Sequence, residues 1–227
     1  NAYKKILKNK EVDYFIVFNK KMKNLVSKIF NAKKTKIYIG GSVRNNDQKI
    51  LKHKKINNIL FISEFRDLSY LKKNISSSAF KNFKKRFIDS EIFFKKISKY
   101  CERKKLKLCV ALASNRKDKS FSKRLKKLES DYFLRINQKI NFDNETAYFL
   151  AFKSKIIASN YSNLGYELQA MNLKVFFHQF IKNNFYKEFE DLFKNKKKKS
   201  NINKDYQIPY KKNKVILNDI IKNIIKK

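Results

Sequence analysis

Residues 155–177, KIIASNYSNLGYELQAMNLKVFF, combine an apolar run, a polar turn, a helix-like stretch and a second apolar run. Short, continuous apolar runs are typical of strands that are buried on both faces of a sheet. A strand, a helix and another strand in such close succession indicate a crossover between parallel strands. This stretch therefore predicts an α/β fold.

The same alternation extends through the rest of the chain. Further strands are predicted at 14–19, 36–41, 58–65 and 107–114, and helices at 80–104 and 119–133. Strands separated by helices of this length predict a doubly wound, Rossmann-like parallel sheet flanked by helices.

The chain is strongly basic, and its charge comes almost entirely from lysine. It has 56 Lys+Arg against 19 Asp+Glu, a net charge of +37, and seven arginines. Lys, Asn, Ile, Phe and Tyr are abundant together while Gly and Pro are scarce, which an AT-rich coding sequence produces without any function. The alternative is an anionic partner: a nucleotide, an acidic membrane surface or a charged glycan. Dedicated nucleic-acid binders often use Arg, so this composition disfavours nucleic acid.

The cysteines and histidines predict neither a disulfide nor a metal site. Cys101 and Cys109 have no CxxC pairing and are interpreted as thiols of a reducing compartment. His53 and His178 are too few and too isolated for a zinc centre. No apolar run approaches the roughly 20 residues that cross a bilayer. We expect no signal peptide before the first predicted strand.

The C-terminal part of the chain changes in composition. The run KNKKKKSNINK at 194–204 predicts a solvated, mobile linker, and the only proline, Pro209, follows it. Apolar residues recur at helical spacing over 215–225. This helix either docks on a domain or lies on an anionic membrane.

Polar residues follow three of the predicted strands, at the edge where open parallel sheets bind ligands. The first corner holds Ser63, Glu64, Arg66 and Asp67; the second holds Ser114, Asn115 and Arg116; the third holds Ser159, Asn160, Ser162, Asn163, Gly165 and Glu167.

The third corner has the pattern of a phosphate-binding helix start. Ser162 or Asn163 can cap the helix, and Gly165 leaves room for a phosphate to approach the backbone. Glu167 could accept hydrogen bonds from sugar hydroxyls. The alternative is a capped helix whose glycine packs against a neighbouring strand.

Three charged residues outside that corner need an interpretation. Arg66 and Arg116 follow strand ends and offer a planar fork for phosphate; the alternative for each is a surface ion pair. Glu129 is expected to be a solvated helix charge. The sequence contains no Ser-His-Asp arrangement, paired-carboxylate motif, phosphate-loop lysine motif or GxGxxG.

Four blocks carry a family resemblance: IYIGGSVRNN (37–46), ILFISEFRD (59–67), YCERKKLKLCVAL (100–112) and IIASNYSNLGYELQAMNLKVFF (156–177). In this order they resemble bacterial surface-carbohydrate (capsule and lipopolysaccharide) biosynthesis proteins that are similar to GT-B glycosyltransferases, including CMP-Kdo-using transferases. The most distinctive block is LGYE followed by a Val- and Phe-rich strand.

The resemblance implies the C-terminal, donor-binding half of a two-domain GT-B architecture. Donor-nucleotide contacts are implied for Ser63, Arg66, Ser162, Asn163 and Gly165 around the phosphate, Glu167 at the ribose, and Arg116 lining the pocket. Two residues depart from the pattern: Glu64 stands where Gln is expected, and Asn163 where Thr is expected.

The resemblance also implies a division of the chain. Residues 1–55 would be a remnant of the N-terminal, acceptor-side domain with the interdomain linker. Residues 56–193 would form the nucleotide-sugar-binding domain, and 194–227 the Lys-rich linker and amphipathic helix. The catalytic residues are not assigned, and the N-terminal domain would be supplied in cis or in trans.

The predicted function is donor binding in a glycosyltransferase that moves a sugar from a nucleotide donor, preferably CMP-linked, to a glycan acceptor. It would need no cofactor or metal and would act in the cytoplasm, at the inner face of the membrane. One alternative is a glycerol-phosphate-type polymerase of cell-envelope polymers, although the expected His-Pro pair is absent. Another is a basic, non-catalytic nucleic-acid-binding protein.

Overall fold

The computed structural model describes residues 12–28, 35–46, 50, 53, 55–113, 119–142, 145–195 and 197–225. Two compact units are formed by the described parts of the chain. The first unit comprises the described residues within 1–50, 169–171 and 202–227. The second unit comprises those within 51–168 and 172–201.

The second unit is built on a parallel sheet in the described residues, with strand order β5-β4-β3-β6-β7. Its strands are β3 (Ile56–Ile62), β4 (Lys107–Ala111), β5 (Asn141–Phe142), β6 (Ser154–Ser159) and β7 (Val175–Phe177). Its helices are α2 (Leu68–Asn74), α3 (Ser77–Arg103), α4 (Lys119–Ile136), α5 (Ala147–Lys153), α6 (Asn163–Ala170, of which residues 163–168 belong to this unit) and α7 (Phe185–Lys194). The predicted Rossmann-like parallel sheet flanked by helices is confirmed.

The core of this unit is largely aromatic. Phe61 on the central strand β3 contacts Phe93 and Phe94 of α3 and Phe133 of α4, with ring centroids 4.9–6.0 Å apart. All four side chains are buried. Tilted and edge-to-face aromatic pairs of this kind stabilise a core beyond their area burial. These aromatic contacts hold α3 and α4 against the sheet. The packing of the two helices fixes where the loops at the carboxyl ends of the strands begin.

The outer edge of β7 is covered by part of the predicted linker. The Val175 N–H donates to the Lys199 carbonyl at 2.9 Å, and Ser200 forms a parallel bridge with Val175. The Asn201 side chain exchanges two hydrogen bonds with the Phe177 backbone, at 2.7 and 2.8 Å. The expected mobile linker is therefore wrong for residues 199–201, because an edge strand leaves backbone groups that this segment pairs with.

The first unit contains β1 (Tyr14–Val17), α1 (Lys20–Ser27), β2 (Lys36–Ile39) and α8 (Lys212–Ile225). β1 and β2 pair in parallel, and Gly41 adopts φ +74° beside the Pro209 carbonyl. Ile216 and Ile220 of α8 are buried. These two residues of the predicted apolar stripe pack against their own unit, whereas Val215, Leu217 and Ile221 are exposed. Contact of this helix with a membrane stays a prediction.

Candidate functional site

The strand order creates one topological switch point between β3 and β6 in the described sheet. From β3 the chain moves outward through β4 to β5, and then returns to place β6 on the other side of β3. Loops at such a point diverge and leave a crevice outside the carboxyl ends of the two strands, where ligands bind in open α/β sheets. Ser63 follows β3 and Asn160 follows β6, so the first and third predicted corners meet here.

The Glu64 carboxylate bridges these two corners. It accepts a hydrogen bond from the Tyr161 backbone N–H at 2.5 Å and another from the Ser162 N–H. Helix α6 begins one residue later, at Asn163. The N–H groups that lead into α6 therefore already hold an anionic oxygen, as expected of donors at the positive end of a helix dipole.

Burial at this position raises the pKa of Glu64 to about 7. The Tyr161 N–H, Arg66, Arg86 and the Ser162 N–H act in the opposite direction, because each favours the ionised carboxylate. Glu64 therefore changes charge near neutral pH, and the electrostatic character of this corner changes with it.

Asn160 contributes a second unusual group at the same point. Its side chain is fully buried, and neither its amide nitrogen nor its amide oxygen has a hydrogen-bond partner among the described residues. A buried polar group without a partner costs about 1–3 kcal/mol. A side chain with one donor group and one acceptor group, placed at the switch point, is suited to a ligand that supplies both partners.

Ser63 is part of a buried network rather than an open surface. Its hydroxyl donates to the Glu129 carboxylate and accepts from the Phe65 N–H at 3.1 Å. The Ala113 N–H donates to the same Glu129 oxygen at 2.8 Å. The expectation that Glu129 is a solvated helix charge is wrong, since its exposed fraction is 0%. Its carboxylate joins the turns after β3 and β4.

Gly165 packs tightly against two strands. A Cβ at this position would lie 2.3 Å from Ser159 Oγ, 2.7 Å from Ser159 Cβ and 3.0 Å from a Phe177 ring carbon. The lack of a side chain lets α6 approach the sheet, which is the role of the third glycine in many dinucleotide-binding turns. This packing accounts for the glycine, and the nearby phosphate stays a prediction.

Glu167 lies inside the unit. Its exposed fraction is 2%, and its carboxylate accepts a hydrogen bond from the Tyr148 hydroxyl. Its contact with a ribose stays a prediction, and the described geometry directs this carboxylate toward α5.

Arginines lie beside the crevice. Arg66 is exposed and donates from Nη1 to the Phe65 carbonyl at 2.8 Å, while Asp67 caps α2. The guanidinium carbon of Arg86 lies 5.3 Å from the centre of the Tyr161 ring. Arg116 and the rest of the second corner lie outside the described residues.

The structure thus brings Ser63, Glu64, Asn160 and Ser162 together and leaves Asn163 exposed at the start of α6. Glu64 and Asn160 are absent from the predicted contacts although each lies at the polar end of an apolar run. Their position at the end of an apolar run is the feature of the sequence that could have identified them as site residues. Arg86 lies in the middle of a long helix, and nothing in the sequence indicated its place beside Tyr161.

The described residues offer neither a metal site nor a membrane-spanning helix. No group of three or more His, Cys, Asp or Glu side chains among them is arranged to hold a metal ion. In the same part of the chain, no helix is both long and apolar enough to cross a membrane.

Comparison with known proteins adds a family. Residues 2–196 match a family model described as "putative O-antigen biosynthesis protein". No curated protein matches the chain.

Among solved structures, the chain is similar to the 2.2 Å crystal structure of a "putative UDP-N-acetylglucosamine 2-epimerase from Listeria monocytogenes". The identity is 13% and the TM-score 0.49, over 90% of this chain and 57% of that one. The chain thus spans less than two thirds of that protein's length, and a similarity at this level does not assign an activity.

Proposed function

The chain belongs to this O-antigen biosynthesis family, which links it to surface polysaccharide synthesis, and we propose that it binds the nucleotide part of an activated sugar at the β3–β6 switch point. The predicted resemblance to surface-carbohydrate proteins agrees with the family at this level.

One observation carries the proposal: the backbone N–H groups of Tyr161 and Ser162 bind the Glu64 carboxylate. These donors precede α6 at the edge of the sheet where α/β proteins bind ligands. A phosphate oxygen has the same charge and the same need for N–H donors as the carboxylate it would replace. Glu64 thus occupies the place proposed for the donor phosphate.

Neighbouring groups supply the rest of a nucleotide site. Asn160 offers a donor and an acceptor that could pair with a base or a ribose, and both are unpartnered in the described structure. Arg66 and Arg86 add positive charge near Glu64. Among the residues predicted from sequence, Ser162 supplies a backbone donor, and Ser63 orients the turn through Glu129.

The reaction we propose is transfer of a sugar from a nucleotide donor to a hydroxyl of a glycan acceptor. The bond between the anomeric carbon and the phosphate oxygen breaks, and its electron pair leaves with the nucleotide. The acceptor oxygen bonds to the anomeric carbon and releases its proton to solvent. The N–H groups and arginines would stabilise the charge that develops on this phosphate. A CMP-linked donor and action at the inner face of the membrane belong to the same proposal, and both rest on the sequence resemblance.

Ligand-induced stabilisation tests the binding step. The melting temperature is measured with CMP, CDP, UDP and GDP at constant ionic strength. A ligand at 100 times its Kd stabilises the folded state by about 2.7 kcal/mol. At roughly 2–4 °C per kcal/mol for a chain of this size, a nucleotide is expected to raise the melting temperature by about 5–10 °C.

Arginine substitutions connect that shift to the site. Arg86→Ala is expected to reduce the shift, whereas Arg135→Ala, an exposed arginine near the end of α4, is expected to preserve it. If no nucleotide shifts the melting temperature while DNA does so in a salt-dependent way, the nucleotide proposal fails in favour of nucleic-acid binding.

A further inference from the structure

A cavity lies at the amino ends of the strands of the second unit, opposite the β3–β6 switch point. Its volume is about 380 Å³, within the range of small-molecule sites. Asn57 and Lys155 are the second residues of β3 and β6, while Leu106 and Lys174 immediately precede β4 and β7. Because these strands are parallel, their amino ends meet at one edge, and the β3–β6 switch point lies at the other.

Positive charge dominates the lining of this cavity. The lining holds Lys104, Lys155, Lys174 and Lys194 against a single carboxylate, Glu190, within the described part of the chain. Tyr100 and Phe193 provide aromatic walls. The excess of three positive charges faces a space large enough for a small anion.

The single carboxylate is already heavily engaged. Glu190 accepts a hydrogen bond from the Tyr100 hydroxyl at 2.5 Å and lies 2.9 Å from the Lys194 ammonium and 3.4 Å from that of Lys104. These contacts, led by the Tyr100 hydroxyl, lower the pKa of Glu190 to about 2. One carboxylate therefore neutralises part of the charge of two lysines.

The other two lysines meet beside the end of α7. Lys174 donates to the Phe193 and Asn195 carbonyls at 3.3 and 2.9 Å, and the Lys155 ammonium lies 4.0 Å from the centre of the Phe193 ring. Burial, with the nearby charges of Lys199 and Lys155, lowers the pKa of Lys174. These ammonium groups are held together although they repel each other, and a bound anion would relieve that repulsion.

We propose that this cavity, hereafter the amino-edge pocket, is a binding site for a phosphate-bearing ligand. Lysine binds phosphate as a compact point charge, and several lysines around one cavity suit a group that carries more than one negative charge. The ligand is either a soluble phosphate ester or diphosphate, or the headgroup of an anionic lipid. The site is separate from the nucleotide site and does not depend on it.

Calorimetric titration with inorganic pyrophosphate at constant ionic strength tests the pocket. The Lys104→Gln/Lys155→Gln variant is expected to bind at least tenfold more weakly than the unmodified chain. The Lys81→Gln/Lys127→Gln variant removes the same charge from exposed positions on α3 and α4, and its affinity should stay within twofold. Equal weakening in both variants, or no binding by the unmodified chain, would overturn the proposal.

A second variant, with the opposite expected effect on affinity, distinguishes loss of the binding site from misfolding. Glu190→Gln removes the pocket's negative charge and is expected to tighten pyrophosphate binding at least threefold. Unfolding cannot produce a gain in affinity. If Glu190→Gln keeps its melting transition and binds pyrophosphate with unchanged or weaker affinity, the proposed binding site is contradicted.

Two parallel measurements separate the sites and the ligand sources. The nucleotide-induced melting shift should persist in Lys104→Gln/Lys155→Gln, and its loss together with pyrophosphate binding would overturn the assignment of a separate pocket. Sedimentation with phosphatidylcholine vesicles, with and without cardiolipin, whose headgroup carries two phosphates, identifies the source. A lipid headgroup is supported if the pocket variant loses vesicle binding and the surface variant retains it; a soluble ligand is supported if both behave alike.

Discussion

The Glu64 carboxylate accepts the Tyr161 backbone N–H at 2.5 Å, and this contact links the turns that follow β3 and β6. The carboxylate places a negative charge of the protein itself at the N-terminal end of α6. A phosphate that binds there must displace this carboxylate or meet it in its neutral form. The pair Glu64–Tyr161 thus connects ligand binding at the switch point to proton binding by one residue.

Nucleotide affinity is expected to depend on pH through Glu64. Since burial raises its pKa to about 7, the carboxyl group is mostly neutral at pH 5.5 and mostly ionised at pH 8. Arg66 and Arg86 favour ionisation but do not cancel the effect of burial. Calorimetry should therefore show a lower affinity for CDP or UDP at pH 8 than at pH 5.5.

Glu64→Gln is the matched control for that dependence, because Gln resembles the protonated form. The variant should bind about tenfold more tightly than the unmodified chain at pH 8 and equally at pH 5.5. Ionisation of the nucleotide phosphate affects both proteins alike, so the difference between them isolates Glu64. Identical pH profiles would show that this carboxylate does not compete with the ligand.

The same pKa predicts a stability trend. Folding raises the pKa of Glu64 from its ordinary value of 4.5, so the folded state binds more protons than the unfolded state between about pH 4.5 and 7. This residue's contribution to the free energy of unfolding falls as pH rises through that window. Denaturant titrations should show Glu64→Gln gaining stability relative to the unmodified chain toward pH 8, and no relative gain would contradict the raised pKa.

Asn160→Leu should separate stability from binding. Replacing a buried, unpartnered amide by an apolar side chain of similar size is expected to stabilise the fold by about 1–3 kcal/mol. The same change should weaken nucleotide binding at least tenfold, because the ligand loses both of its amide partners. Chemical denaturation and calorimetry measure the two effects. If Asn160→Leu binds the nucleotide as tightly as the unmodified chain, Asn160 is not part of the binding site.

Gly165→Ala should destabilise the chain although alanine favours helices by about 1 kcal/mol. The added Cβ would overlap Ser159 and press on Phe177, and overpacking of this kind costs about 1–3 kcal/mol. Adding Ser159→Gly removes the closest atoms and should recover part of the loss in a double-mutant cycle. Additive effects would show that Ser159 is not the obstacle.

Glu129→Ala is expected to lower the free energy of unfolding by about 2–6 kcal/mol, since it leaves the Ser63 hydroxyl and the Ala113 N–H without their acceptor, at about 1–3 kcal/mol for each group. Asp131→Ala, an exposed carboxylate on the same helix, should stay within about 0.5 kcal/mol. Urea denaturation measures both. Similar losses in the two variants would refute the buried bridge.

Local sequence patterns predicted the secondary structure but not the partners of polar groups. The apolar runs placed β3 and β4 within a few residues of their ends, because strands buried on both faces must be continuously apolar. The two-residue strand β5 was not predicted, since so short a run has no period. Glu129 has the local spacing of a solvated helix charge, and only the turns that pack over it make it buried.

By itself, the sequence determined the α/β class, the alternation of most strands and helices, and the corners at which polar residues follow buried strands. Those features depend on periodicity and on short-range steric preferences, which a linear pattern records. The tertiary structure decided that β6 returns beside β3, so that Glu64 meets the turn before α6 and Gly165 meets Ser159. It also gathered lysines from four separate segments of the second unit into the amino-edge pocket. Such contacts join residues as many as 97 positions apart, and only the folded sheet sets their distance.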